Sequence, residues 1–235
     1  MTAMNQTRPT VAIVDYALGN LYSVKHACEH EGLEAVITAA REDLLAADAV
    51  ILPGVGAFGD AMETLRKRDL VSALQEIASS EKPLVGICLG IQLLMTESHE
   101  FGLHKGLGII EGPVVKLDAP REGERTLKVP HVGWNSIRRP AAGSETVSNT
   151  WQGTLLEGLD DGEQLYFVHS FIVQPTDPDI VLSRTEYGGI EFCSSFRRNN
   201  IFACQFHPER SGSAGMSLYR NLAATLRHAA SRRHQ

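Results

Sequence analysis

The sequence predicts an α/β fold: an open, mostly parallel sheet with helices on both faces, plus an antiparallel extension. Three observations lead there. Short apolar runs alternate with helical apolar patterns through the first part of the chain. After Phe101 that rhythm gives way to successive strand-like runs. Between the two regimes, Gly86-Ile87-Cys88-Leu89-Gly90 joins a strand pattern to a helical one. This is a Gly-x-Cys-x-Gly version of the nucleophile elbow.

The elements follow in order. Thr10 to Asp15 reads as a buried strand. Asn20 can cap a helix through Val24, Ala27 and Cys28, with Gly32 as its stop. Ala35 to Thr38 and Ala49 to Leu52 are the next strands, the second ending in the loop Pro53 to Gly59. Asp60 opens a helical stretch, and another covers Leu70 to Ala78. The elbow strand runs from Leu84 to Cys88. Beyond Phe101, strands are predicted over 107–117, 131–138, 164–173, 180–185, 190–196 and 201–206. Gly188-Gly189 reads as a hairpin turn. Segments 118–125 and 139–149 read as polar loops, and 213–230 as a closing helix.

The chain has 235 residues, 43% hydrophobic and 21% charged, enough for one domain with a substantial core. Residues 1–9 read as a flexible leader, 10–230 as a single domain and 231–235 as a solvated basic tail. A net charge of -6 argues against a nucleic-acid partner. No apolar stretch approaches a membrane span. The four cysteines, Cys28, Cys88, Cys193 and Cys204, show no paired spacing, which argues against a zinc site or a disulfide framework. A cytoplasmic, reducing compartment is expected. No metal or cofactor is expected.

An elbow lifts its side chain out of the sheet onto the N-terminus of the following helix, where free N–H groups favour a thiolate. A thiol with a pKa of about 8.5 needs such help. It also needs a base. Of nine histidines, His207 stands out, because it follows the apolar run Ile201 to Phe206 and precedes Pro208-Glu209. Strand ends are where open α/β sheets display functional side chains. Glu209 is close enough to fix the imidazole tautomer. His26 and His30 have i, i+4 spacing but no accompanying ligand pattern, and read as a polar helix face. His99, His104, His228 and His234 sit in polar surroundings and read as surface. The loop Pro53-Gly54-Val55-Gly56 admits three readings: an oxyanion hole, a phosphate cradle or a tight turn. It lacks the Lys-Ser/Thr continuation of a P-loop.

Together, Gly86-Ile87-Cys88-Leu89-Gly90-Ile91-Gln92 and Gln205-Phe206-His207-Pro208-Glu209 resemble the class I (triad) glutamine amidotransferase family. The resemblance spans about Val11 to Leu226 and implies a flavodoxin-like core. Within the family, four segments match a branch of glutaminase subunits: 15–21, 53–62, 130–135 and 166–171. The implied reaction is hydrolysis of L-glutamine to glutamate and ammonia through a thioester. The implied catalytic residues are Cys88, His207 and Glu209. The implied oxyanion hole is the N–H of Leu89 with one from Gly54, Val55 or Gly56. Gln92, Glu100, Ser170 and Phe171 match positions that hold glutamine.

In that branch, ammonia passes to a separate (β/α)8 cyclase subunit, so a heterodimeric partner is implied. Trp134, Asn135, Tyr166 and Arg210 match positions at its interface. Trp134 as a buried core aromatic is the competing reading. Arg210 stands where lysine is usual, and Ala17, Ile91 and Phe171 replace frequent glycine, methionine and tyrosine. Paralogous subunits feed ammonia to sugar amidotransferases of surface-polysaccharide synthesis, which is the alternative acceptor.

Overall fold

A computed structural model describes residues 8–17, 19–140 and 151–233. The first half is built of β1 (Thr10–Val14), α1 (Leu21–His30), β2 (Glu34–Thr38), α2 (Arg41–Ala46) and β3 (Ala49–Gly54). These are followed by α3 (Phe58–Lys67), α4 (Leu70–Ala78), β4 (Leu84–Cys88) and α5 (Leu89–Leu93). Strands then dominate: β5 (Met95–Ser98), β6 (His104–Lys105), β7 (Ile110–Lys116), β8 (Arg121–Glu122), β9 (Arg125–Thr126) and β10 (His131–Ser136). The last elements are β11 (Gln164–His169), β12 (Phe171–Val173), β13 (Val181–Tyr187), β14 (Ile190–Arg198), β15 (Ile201–Cys204) and α6 (Gly212–Arg233).

The main sheet runs β2-β1-β3-β4-β15-β14-β12-β7-β5-β6, with β13 also paired to β14. The strands from β2 through β15 are parallel, and β14 turns the sheet antiparallel. Both faces are covered. Ala12, Val14, Val50, Leu52 and Leu84 point toward α2–α5, while Val11, Ile13, Ala49, Ile51, Val85 and Ile87 pack under α1 and α6. Burial on both faces is why β1, β3 and β4 read as continuous apolar runs. The surface helices bury one stripe, as in α3 with Phe58, Ala61, Met62 and Leu65, whereas α5 is buried on every side. No helix among the described residues is long and apolar enough to cross a membrane.

The structure departs from the sequence reading at several points. Strand β3 continues through Pro53 and Gly54, which pair with Ile87 and Cys88 instead of starting a loop. Helix α3 starts at Phe58, before Asp60, because the Phe58 N–H donates to Glu100, far along the chain. The helix after the elbow has only five residues before β5 begins. The run 164–173 breaks at Ser170: β11 pairs with β10 in a separate two-stranded sheet, while β12 joins the main sheet. The polar segment 118–125 contains most of the small β8–β9 hairpin. Helix α6 continues to Arg233, into the stretch read as a tail. Pro9, read as leader, is buried, and its carbonyl accepts from Glu34 N–H. Most of the leader, most of the loop 139–149, and His234 lie outside the described residues. Gly188 and Gly189, at φ 60° and 75°, form the β13–β14 turn.

Candidate active site

Cys88 ends β4, flanked in the sheet by β3 and β15. Its backbone sits at φ 53°, ψ -104°, a conformation that costs an L-residue roughly 1–3 kcal/mol. The glycines beside it are required by close approach. A Cβ on Gly90 would collide with the Leu52 carbonyl oxygen, and one on Gly86 would lie 3.0 Å from Leu94 Cδ1. The strand-to-helix turn therefore passes directly over its neighbour strand.

His207 follows β15 and is held from three sides. Its N–H donates to the Tyr166 carbonyl at 2.9 Å, and its carbonyl accepts from Ser211 Oγ at 2.7 Å. Its Nδ1 lies 2.8 Å from Glu209 Oε1, with both side chains nearly inaccessible. Cys88 lies close enough to the imidazole to act on its charge, while its own Sγ donates to the Val168 carbonyl at 3.6 Å. Burial pushes the imidazolium down, but a Cys88 thiolate and the Glu209 carboxylate outweigh it and carry His207 up to about 10. The short α5 limits what a helix dipole contributes to Cys88.

A cleft of about 260 Å³ opens over Cys88. Of the expected residues, Val55, Gly56, Cys88, Leu89, Gln92, Glu100, Ser170, Phe171 and His207 line it. Gly54 does not; it sits under Tyr16, whose hydroxyl donates to the Pro53 carbonyl at 2.5 Å. Gln92 Nε2 donates to the Phe171 carbonyl at 3.2 Å and to Gln205 Oε1 at 3.1 Å. Gln205 in turn points Nε2 at Cys88 Sγ, 3.8 Å away.

Trp134 is 56% exposed, which rules out the core reading. It stands opposite Tyr166 across β10–β11 and meets that ring edge-on at 6.0 Å. The Arg210 guanidinium lies 4.6 Å over the same Tyr166 ring and also lines the cleft. Asn135 lies on the same strand as Trp134 and donates to the Glu186 carbonyl at 2.9 Å.

Sequence reasoning gave no role to Gln205, Pro130, Val168, His131 or His169, and read Asn20 only as a helix cap; Asn20 does precede α1, but its side chain makes no capping hydrogen bond. Asn20, Pro130, Val168 and His169 line the cleft. One signal was available for His169: it shares strand parity with buried Leu165 and Phe167. His26 and His30 are exposed and lie near Glu29 and Glu31. No group of potential metal ligands occurs among the described residues. His104, read as surface, is half-buried, its ring against Gly59.

A cysteine on a strained strand end, facing a histidine paired to a buried carboxylate, defines a thiol hydrolase of the triad type. Residues 12–225 match the model for the class I glutamine amidotransferases. This chain belongs to that family. It is 44% identical over 213 residues to the imidazole glycerol phosphate synthase subunit HisH of Rhodopirellula baltica, covering 91% of this chain and 96% of that one. It is 46% identical over 211 residues to the HisH subunit of Sulfurimonas denitrificans, covering 90% and 96%. Among solved structures, PurLQS from Thermotoga maritima matches with a TM-score of 0.68 at 21% identity, covering 94% of this chain and 100% of that one. A putative GMP synthase subunit from Thermoplasma acidophilum matches with a TM-score of 0.67 at 16% identity, covering 98% and 100%. These last two likenesses concern the fold.

Proposed function

We propose that this chain is the glutaminase subunit of an imidazole glycerol phosphate synthase. The observation that carries the reading is one cleft lined by Cys88, His207, Gln92 and Glu100. Relatives at 44% and 46% identity named as that subunit support it.

In this reading the Cys88 sulfur attacks the side-chain amide carbon of L-glutamine. The oxyanion is stabilised by the N–H of Leu89, a first-turn donor without an intrahelical partner, and by an N–H of Val55 or Gly56. His207 takes the thiol proton and gives it to the departing nitrogen, and ammonia leaves as the γ-glutamyl thioester forms. Water, deprotonated by His207, then cleaves the thioester to glutamate. Glu209 holds the imidazole in one tautomer and stabilises its charged form. Glu100 pairs with the substrate ammonium, and Gln92 with the Ser170–Phe171 backbone completes the pocket.

Ammonia passes to a (β/α)8 cyclase subunit docked over Trp134, Asn135, Tyr166 and Arg210. An exposed tryptophan braced by an aromatic neighbour and a stacked arginine suits an interface anchor. Residues 10–230 act as one domain. Four free cysteines and a thiol nucleophile suit a reducing cytoplasm.

The test uses the complex with its cyclase. Cys88→Ala is expected to abolish glutamine-dependent synthesis and to leave synthesis from added ammonium salt intact. Equal loss of both overturns the reading. Stimulation of glutamate release by a sugar amidotransferase, with none by the cyclase, reassigns the acceptor.

A further inference from the structure

Strands β10 and β11 place His131 directly opposite His169 in a buried pair. His131 Nδ1 lies 3.0 Å from His169 Nε2. His169 Nδ1 lies 3.1 Å from the Phe171 carbonyl oxygen. At the other end, His131 Nε2 lies 3.4 Å from Asn135 Nδ2. The Asn135 amide is oriented independently of the histidines: its Oδ1 accepts from Ser136 N–H at 2.7 Å, and its Nδ2 donates to Glu186 O at 2.9 Å.

These contacts have one consistent proton arrangement. A carbonyl only accepts, so His169 carries its proton on Nδ1. Its Nε2 is then an acceptor, so His131 carries its proton on Nδ1 as well. His131 Nε2 is the remaining acceptor, and it faces an amide nitrogen already fixed as a donor. All donors point the same way, from Asn135 through His131 and His169 to Phe171. Packing keeps the rings aligned: His131 is stacked on Tyr187 at 4.1 Å and on Phe167 at 5.2 Å. Burial favours the neutral imidazoles, driving His131 down to about 4 and His169 to about 3.

The chain starts one residue from exposed Trp134 and ends on the cleft. The Phe171 carbonyl also accepts from Gln92, so one oxygen takes donors from both sides of the cleft wall. Ser170, at the break between the two sheets, lies beside it.

We propose that Asn135, His131 and His169 are positioning residues. They form a single-direction hydrogen-bond chain that fixes the Phe171 carbonyl, and through it the Ser170–Phe171 wall and Gln92. The inference rests on the glutaminase reading above. It ties the seating of substrate to the same strand that carries the proposed partner surface.

The test compares His169→Leu, which removes the donor, with His169→Asn, whose Nδ2 can donate from the Nδ1 position. Glutamine hydrolysis is measured in the complex with the cyclase. His169→Leu is expected to raise KM for glutamine about 10-fold or more with kcat changed less than about 3-fold, the signature of lost binding in ground and transition state alike. His169→Asn is expected to restore KM to within about 3-fold of the parent. Imidazole ¹⁵N NMR of the parent chain is expected to show Nδ1–H tautomers at both histidines. Asn135→Ala, at a half-exposed position, gives a second route if His169→Leu fails to fold: it should raise KM and mix the His131 tautomers. An Nε2–H tautomer at either histidine, or KM unmoved in folded variants, overturns the proposal. A parent complex that hydrolyses no glutamine instead overturns the functional reading and leaves the tautomer result standing.

Discussion

Glu100 and Phe58 are joined by a 2.6 Å hydrogen bond in which the first N–H of helix α3 donates to Glu100 Oε2. The carboxylate thus closes a helix N-terminus from 42 residues away while lining the cleft over Cys88. One side chain serves both a fold contact and a charge at the site.

Glu100→Gln separates the two roles. It keeps an oxygen acceptor for Phe58 but removes the negative charge. KM for glutamine is expected to rise at least about 10-fold, the weight of one lost charge-assisted hydrogen bond. Stability should fall by less than about 1 kcal/mol, the range of a charge at a helix N-terminus. Kinetics and urea unfolding of the same preparation check both halves.

Glu209→Gln should move the alkaline limit of activity. Burial works against the His207 imidazolium, and the Cys88 thiolate and Glu209 work for it. Removing a carboxylate lowers the imidazolium pKa, so the alkaline limb of kcat/KM, expected near pH 10 in the parent, should shift to lower pH. The fall in kcat/KM is expected to be about 10²-fold or more. The same raised pKa stabilises the folded chain fully below the ordinary imidazole range, and that contribution is lost as pH rises through about 10. A pH–rate profile with an unmoved limb would contradict this.

The buried histidine pair works in the opposite direction. His131 and His169 have lowered pKa values, about 4 and about 3, because burial disfavours their charged forms. The unfolded chain takes up protons at these sites first, so their neutral burial favours folding above about pH 6.5 and stability falls as pH drops toward 4. His169→Asn should flatten that decline, read as the change in urea midpoint between pH 7 and pH 5. Parallel declines in parent and variant would refute the assignment.

Gly90→Ala should be far more damaging than Gly86→Ala. At Gly90 the new methyl overlaps deeply with the Leu52 backbone carbonyl oxygen, whereas at Gly86 it meets the end of the Leu94 side chain at 3.0 Å and the Ala203 Cβ and Gly90 carbonyl carbon at 3.1 Å, a much shallower overlap. An expected loss of about 3 kcal/mol or more for Gly90→Ala, against about 1–2 kcal/mol for Gly86→Ala, follows from the depth of the overlap at each position. Denaturant midpoints rank the two directly.

The legible parts of the sequence were those with local causes. Strand 84–88 and helix 70–78 agree with their predicted bounds because their apolar patterns are complete within themselves. The elbow was readable from two glycines around Cys88, and the His207–Glu209 pair from the end of an apolar run. Contacts between distant segments were not readable. The start of α3 depends on Glu100, the continuation of β3 through Pro53 on pairing with β4, and the break at Ser170 on a change of sheet. His131 and His169 escaped notice because no local pattern says that two histidines 38 positions apart face each other.

The left-handed backbone at Cys88 separates two optima that coincide at most positions of a protein. For folding alone, the best residue there is glycine, which holds φ 53° without strain. For a thiol aimed across the end of a sheet at His207, it is cysteine. Every copy of the chain carries that deficit at position 88, and the packed strands on either side are stable enough to hold it.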